Sequence, residues 1–152
     1  MGCGWLGRPL AKSFVADGYR VNGSTTSNEK LIPLKKEGIT PFLISFQEDG
    51  IKGDISGFLK NIDLLVVNIP PRLRSGKSES YIKKIELLFK QVKKNTLKKV
   101  IFVSSTSVYG DIEGEVTEQT IPQPTTESGK QLLAAEKIFF NDQNLQTTVI
   151  RF

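Results

Sequence analysis

Residues 1–7 read Met-Gly-Cys-Gly-Trp-Leu-Gly, a G-x-G-x-x-G run at the head of a chain of 152 residues. Such a run grips a dinucleotide pyrophosphate when it links a buried strand to a helix. Gly2 allows the sharp turn, Gly4 leaves room for the pyrophosphate where a Cβ would stand, and Gly7 lets the helix pack closely on the sheet. Backbone N–H groups near Trp5 and Leu6, with the helix dipole, supply the phosphate contacts. The helix half of this context is present. Residues 9–17 read as a short helix with Leu10, Phe14 and Val15 on one side, and Gly18 is placed to close it. The strand half is not, because only Met1 precedes Gly2.

The rest of the chain decides whether the glycines mean what they suggest. A short strand is expected over 19–25, then a helix from Ser27 or Asn28 to Lys36, bent or shortened by Pro33 and closed by Gly38. Residues 39–46 read as a strand, which Pro41 puts at a sheet edge. Residues 47–57 read as a polar, glycine-rich loop. Residues 63–69, Asp-Leu-Leu-Val-Val-Asn-Ile, form a nearly continuous apolar run, the pattern of a strand covered on both faces. Pro70 and Pro71 stop it, and 72–80 is a basic and polar loop. Tyr81, Ile82, Ile85, Leu88, Phe89 and Val92 recur at helical spacing. Residues 99–104 are another buried strand, 105–127 an irregular stretch, 132–139 the core of a helix, and 147–152 a last strand. Strands and helices alternate with connections too long for hairpins. One α/β domain over 1–152, a Rossmann-like doubly wound parallel sheet, is therefore expected. The strand that should precede Gly2 would be central in that sheet. The expectation is a piece of a longer protein, missing its first strand and its C-terminal substrate region, with weaker cofactor affinity than an intact parent.

Composition narrows the function. Hydrophobic content of 38% and charged content of 24% describe a globular chain. No apolar run is long enough to cross a bilayer and no signal-peptide pattern opens the chain, so no membrane partner and a cytoplasmic location are expected. One cysteine excludes an internal disulfide framework, and the absence of histidine removes Ser-His-Asp triads and His-containing zinc sites, so no metal is expected. Much of the net charge of +5 comes from Lys83, Lys84, Lys90, Lys93, Lys94, Lys98 and Lys99. No aromatics alternate with them, so they read as a solvated face, and nucleic acid is not an expected partner.

In an open parallel sheet, ligands bind outside the carboxyl ends of the strands. Cys3 lies inside the glycine loop, where a helix N-terminus can lower a thiol pKa, although a small loop filler is the plainer reading. The strand ending near Ser24 and Thr25 carries hydroxyls where NAD binders usually carry a carboxylate. Hydroxyls can donate to a 2′-phosphate, which tilts the cofactor to NADP, with NAD open. No arginine is evident there. Asn68, Ile69 and Pro70 should pass the nicotinamide ribose. Ser104 to Gly110, Ser-Ser-Thr-Ser-Val-Tyr-Gly, places a row of hydroxyls at a buried strand end, suited to a substrate carbonyl or alkoxide.

Taken together, Gly2-Cys-Gly-Trp-Leu-Gly7, Asn68-Ile-Pro70, Ser104-Ser-Thr-Ser-Val-Tyr-Gly-Asp111 and Ser128-Gly-Lys-Gln-Leu-Leu-Ala-Ala-Glu136 resemble the extended short-chain dehydrogenase/reductase superfamily. The likeness is to its NAD(P)-dependent epimerase/dehydratase group, in an atypical bacterial branch described as nucleoside-diphosphate-sugar epimerase-like. It implies a small-molecule substrate such as a nucleotide-sugar, and a homodimer through the helices around 81–92 and 128–140. It assigns the catalytic hydroxyl to Ser105. The family's Tyr-x-x-x-Lys pair supplies a tuned phenol as acid/base, but Ser128 and Leu132 stand at those positions here. Lys130 is the nearby substitute for a base or ribose contact, against the plainer reading of a solvated lysine. Tyr109 is expected to be packing. Two readings stay open: an NAD(P)-linked epimerase, dehydratase or reductase with a non-standard acid/base, and a non-catalytic NADP-binding sensor or regulatory protein.

Overall fold

A computed structural model describes residues 1–47, 50–71 and 81–152; the loop expected over 72–80 lies outside the described residues. In chain order the elements are α1 (Gly7–Ala16), β1 (Asn22–Thr25), α2 (Leu31–Lys36), β2 (Thr40–Leu43), β3 (Ser45–Gln47), β4 (Gly50–Lys52), α3 (Ile55–Leu59), β5 (Leu64–Val67), α4 (Tyr81–Val92), β6 (Lys99–Ser104), α5 (Glu127–Phe140) and β7 (Gln146–Arg151). β5, β6 and β7 form a parallel sheet in that order, with Val67 opposite Phe102 and Ser104 opposite Arg151. β1 and β2 form a second parallel pair, in which Asn22 faces Thr40. This is the expected Rossmann-like α/β architecture.

The two parallel sheets meet at residues 1–3. The Met1 amine donates to the Val66 carbonyl at 2.5 Å, and the Asn68 N–H donates to the Met1 carbonyl at 2.9 Å. On the other side the Cys3 N–H donates to the Ser24 carbonyl at 2.8 Å. Three residues thus supply one rung of a strand lying between β1 and β5. Alongside lies a cleft of about 510 Å³ lined by Leu10, Ala11, Phe14, Val21, Phe58 and Leu65. Burial pushes the Met1 amine down to about 6.

The helices form because their apolar residues fall on one face. Ile85, Leu88 and Val92 of α4 are fully buried with Val100 and Phe102 of β6 and Phe139 of α5. Phe139 meets Phe89 edge-on at 5.4 Å between centroids and Phe102 at 5.9 Å. A second, smaller core holds Cys3, Ala11, Leu34 and Ile39 under α1 and α2. Gly18 closes α1 with a φ of 85°, as its position suggested.

Three expectations need correcting. The helix expected over 27–36 starts as a 3-10 turn, Asn28–Lys30, and becomes α2 only at Leu31. Pro33 therefore sits in the first turn of α2, where its missing N–H costs no bond. Ser27 makes no side-chain cap. The strand expected over 39–46 breaks at Ile44, and its second half turns back as a hairpin with β4. The stretch expected to be a polar loop over 47–57 thus holds β4 and the start of α3. Asp54 caps α3, its carboxylate accepting from the Gly57 N–H at 2.7 Å, while Ile55, Phe58 and Leu59 enter the core. Asp54 followed by that spacing was a helix-start signal hidden by the neighbouring glycines.

The N-terminus of α5 is capped by Thr126, whose hydroxyl accepts from the Gly129 N–H at 3.1 Å. Thr126→Ala should cost about 1 kcal/mol in urea unfolding, the usual value of such a cap. A loss below about 0.3 kcal/mol would mean the helix start is held by its packing alone.

Candidate cofactor and active site

Each glycine of the opening run has a different structural reason. Gly2 has a φ of 94°, and a Cβ there would stand 2.2 Å from the Asn68 carbonyl oxygen. A Cβ on Gly7 would stand 2.1 Å from the Gly2 carbonyl oxygen, so this glycine serves the loop's own closure. A Cβ on Gly4 would meet nothing within 4 Å. The turn and the helix start need the outer two glycines; only open space needs the middle one. α1 has no side-chain N-cap bond; the Arg8 N–H turns back to the Gly4 carbonyl at 3.1 Å and Pro9 has no N–H, which leaves those of Trp5, Leu6 and Gly7 to a ligand. Trp5 stands 90% exposed beside them.

Asn68 braces this loop. Its side-chain amide donates to the Gly2 carbonyl at 3.3 Å while its backbone N–H bonds Met1. Ser24 braces it from β1, its buried hydroxyl accepting from the Gly2 N–H at 2.9 Å and donating to the Met1 sulfur at 2.9 Å. The Thr25 hydroxyl is also buried and accepts from the Ser27 N–H at 3.1 Å. The Ser24 hydroxyl is therefore engaged on both sides within the chain, while the Thr25 hydroxyl, buried, keeps only its O–H proton. Cys3 is buried, and burial raises its thiol pKa, so the loop-filler reading is the one the geometry supports.

A group that the sequence reading passed over borders the loop. Arg8, Lys12, Lys30 and Glu37 line a cavity of about 720 Å³ with Gly4 and Trp5. Arg8 donates twice to Glu37, Nε to Oε2 and Nη2 to Oε1, each at 2.8 Å, and the Lys12 ammonium lies 3.4 Å from Oε1. Arg8 beside it holds the Glu37 carboxyl below its ordinary range. Arg8 and Lys12 are four residues apart on α1, so they share a face; that spacing was the available signal.

The strand ends form one continuous edge. Asn68 and Ile69 follow β5, Ser105 follows β6 beside it, and the Thr106 N–H donates to the Phe152 carbonyl at 2.8 Å after β7. Gly4 and Ser105 thus lie along the same carboxyl edge, with Asn68 between them. Ser105 caps a 3-10 turn, Thr106–Tyr109, its hydroxyl accepting from the Ser107 N–H at 3.2 Å. That leaves its O–H proton to donate. The start of α5 packs on this turn so closely that a Cβ on Gly129 would lie 2.4 Å from the Ser107 carbonyl oxygen. Ser128 is partly exposed there and Lys130 is exposed, while Leu132 is buried in the core.

Behind this edge lies a buried polar cluster. Glu136 receives two bonds from Arg151, at 3.1 and 2.7 Å, and Arg151 also donates to the Tyr109 hydroxyl at 2.7 Å. Tyr109 donates in turn to the Thr117 carbonyl at 3.3 Å, so it is packing and a tether, as expected. The Tyr81 and Ser104 hydroxyls are buried and find no hydrogen-bond partner among the described residues. Burial, then Glu136, raises the Tyr81 pKa well above that of a free phenol. Among the described residues no cluster of acidic, cysteine or histidine side chains could hold a metal ion, and no helix is long and apolar enough to cross a membrane.

The fold is that of the NAD-dependent epimerase/dehydratase and short-chain dehydrogenase/reductase structures. No protein-family profile matches the chain. Among known proteins it is 33% identical over 152 residues to Protein YeeZ of Escherichia coli K12, covering 99% of this chain and 56% of that protein. A structure from Methylobacillus flagellatus, described as a candidate NAD-dependent epimerase/dehydratase, is 28% identical with a TM-score of 0.69, over 99% of this chain and 51% of the other. UDP-glucuronic acid 4-epimerase of Bacillus cereus in complex with NAD superimposes with a TM-score of 0.78 at 20% identity, over 98% of this chain and 53% of the other. The chain spans about half the length of the proteins it matches.

Proposed function

We propose that the chain holds a nicotinamide dinucleotide along its carboxyl edge, within an NAD(P)-dependent protein that acts on a nucleotide-sugar or similar substrate. One observation carries the reading: Gly2 and Gly7 are forced by close backbone contacts, whereas Gly4 faces space that a ligand would occupy. Trp5, Leu6 and Gly7 would hold the pyrophosphate with backbone N–H groups, while Gly4, whose own N–H bonds the Gly2 carbonyl, leaves the space it occupies. Asn68, Ile69 and Pro70 would flank the nicotinamide half, and Ser104 would close its far side. Ser24 and Thr25 contribute by fixing the loop. The bound dinucleotide would supply reversible hydride transfer. Ser105, with its O–H proton uncommitted, would hydrogen-bond the reacting oxygen of the substrate, and exposed Lys130 would be the nearby proton carrier. Pairing of two copies through α4 and α5 belongs to the same reading.

The second reading, a dinucleotide-binding sensor without hydride chemistry, is favoured by Leu132. The position where the family's lysine would tune a phenol is occupied by an apolar side chain buried at 5% exposure. Calorimetric titration with NADPH and NADH, followed by absorbance assays across nucleotide-sugars, separates the two. Dinucleotide binding with turnover lost in Ser105→Ala supports the enzyme. Binding without turnover of any sugar supports the sensor, and no measurable binding of either dinucleotide overturns both.

A further inference from the structure

We propose that Arg8 and Lys30 read the 2′-phosphate of NADP, so that the chain selects the phosphorylated dinucleotide; this rests on the dinucleotide reading above. The cavity beside Gly4 and Trp5 carries three cations, Arg8, Lys12 and Lys30, against one carboxylate, Glu37. That excess of two positive charges suits a phosphate monoester, which is close to a dianion at neutral pH.

Selection of NAD needs a carboxylate free to accept from the ribose hydroxyls. Glu37 is the carboxylate lining this cavity, and it already takes two Arg8 bonds at 2.8 Å and faces Lys12 at 3.4 Å. Arg8 and Lys12 together occupy most of its roughly four acceptor sites and neutralise its charge. The donors are less committed. Arg8 uses Nε and Nη2 on Glu37, which leaves Nη1 for a ligand, and its side chain is 44% exposed. Glu37 acts as a splint that holds the planar guanidinium in place, the arrangement that favours a phosphate over a diffuse counterion. Ser24 cannot do this work, because its buried hydroxyl both accepts and donates inside the chain, and the buried Thr25 hydroxyl offers a neutral O–H without the charge of a cation. The selectivity for NADP therefore sits on α1 and at the head of α2, not on the end of β1.

The test compares dissociation constants for NADPH, NADH, 2′,5′-ADP and 5′-ADP in the 152-residue chain and in Lys30→Ala and Arg8→Ala. The chain should bind NADPH at least about tenfold tighter than NADH, and 2′,5′-ADP tighter than 5′-ADP. Each variant should bring the NADPH to NADH ratio toward one while the NADH constant moves less than about twofold. Lys30→Ala keeps the Arg8–Glu37 pair, so it guards against a variant that merely unfolds. Equal affinity for NADPH and NADH, or equal losses for both in Lys30→Ala, overturns this assignment and leaves the dinucleotide reading standing. Absence of binding by either dinucleotide overturns that reading itself.

Discussion

Gly4→Ala will leave the urea unfolding midpoint of this chain almost unchanged and weaken dinucleotide binding by at least about tenfold, or 1.4 kcal/mol. The stability half follows from geometry. A Cβ at Gly4 meets nothing within 4 Å, and φ there is not in the left-handed region, so the backbone accepts alanine without strain. A substitution of that kind away from any contact shifts stability by roughly 0.5 kcal/mol or less. The binding half follows from what the open space is for. A methyl group placed where the pyrophosphate approaches pushes it off the N–H groups of Trp5, Leu6 and Gly7 and loses charge-assisted bonds. Gly7→Ala makes the control. Its Cβ would lie 2.1 Å from the Gly2 carbonyl oxygen, which has no flexible end to move, so stability falls by about 1–3 kcal/mol before any ligand is added. Should Gly4→Ala destabilise the chain as much as Gly7→Ala, the distinction drawn between the glycines is wrong.

Glu136→Ala is the most damaging single change expected, at about 3–5 kcal/mol. Glu136 is 3% exposed and accepts both bonds of Arg151, whose guanidinium also bonds Tyr109 and lies 4.9 Å over its ring. Removing the carboxylate leaves the partly buried Arg151 cation without its counter-charge, and desolvation that the pair had offset becomes a net cost. It also frees Tyr109, and through it the Thr117 tether of the irregular stretch after β6. Glu136→Ala combined with Arg151→Met should recover a large part of the loss, because the stranded charge is gone. Urea unfolding of the two singles and the double measures this as a cycle. A double variant no more stable than Glu136→Ala would show that the stranded charge is not the cause.

Much of the fold was legible because burial on both faces leaves a plain record. Residues 99–104 were marked by the unbroken apolar run over 100–103, and α4 by six apolar side chains at helical spacing. Both appear where expected. The hairpin of β3 and β4 was not legible. Its strands are three residues each, and Gly50 and Gly53 look like loop residues until the pairing of Phe46 with Ile51 is seen. α3 was lost in the same way, since five residues give too little periodicity to stand out from a loop.

The site shows the same division. Gly2, Gly4 and Gly7 declare themselves by spacing, and the row of hydroxyls from Ser104 by its place at a buried strand end; only the family resemblance singles out Ser105 within that row. Ser24 and Thr25 end β1, where local bonds no pattern announces engage them: Ser24 with Gly2 and Met1, Thr25 as acceptor from Ser27. Arg8 was in view immediately after the glycines, but its meaning depends on Glu37, which lies twenty-nine positions away and joins it only through the fold. Arg151 and Glu136 are likewise brought together by the register of β7 against β6 and by the packing of α5, which no local pattern announces.

The central claim is that one edge of the sheet, from the glycine loop to the end of β6, receives a single dinucleotide. Titrating NADPH into the isotopically labelled chain and following its backbone amide resonances tests this directly. The amides of Gly4, Leu6 and Gly7 should shift together with those of Ile69, Ser104 and Ser105, along one common binding curve. Shifts confined to the lysine-rich face of α4, or none on the carboxyl edge at saturating NADPH and NADH, would contradict it.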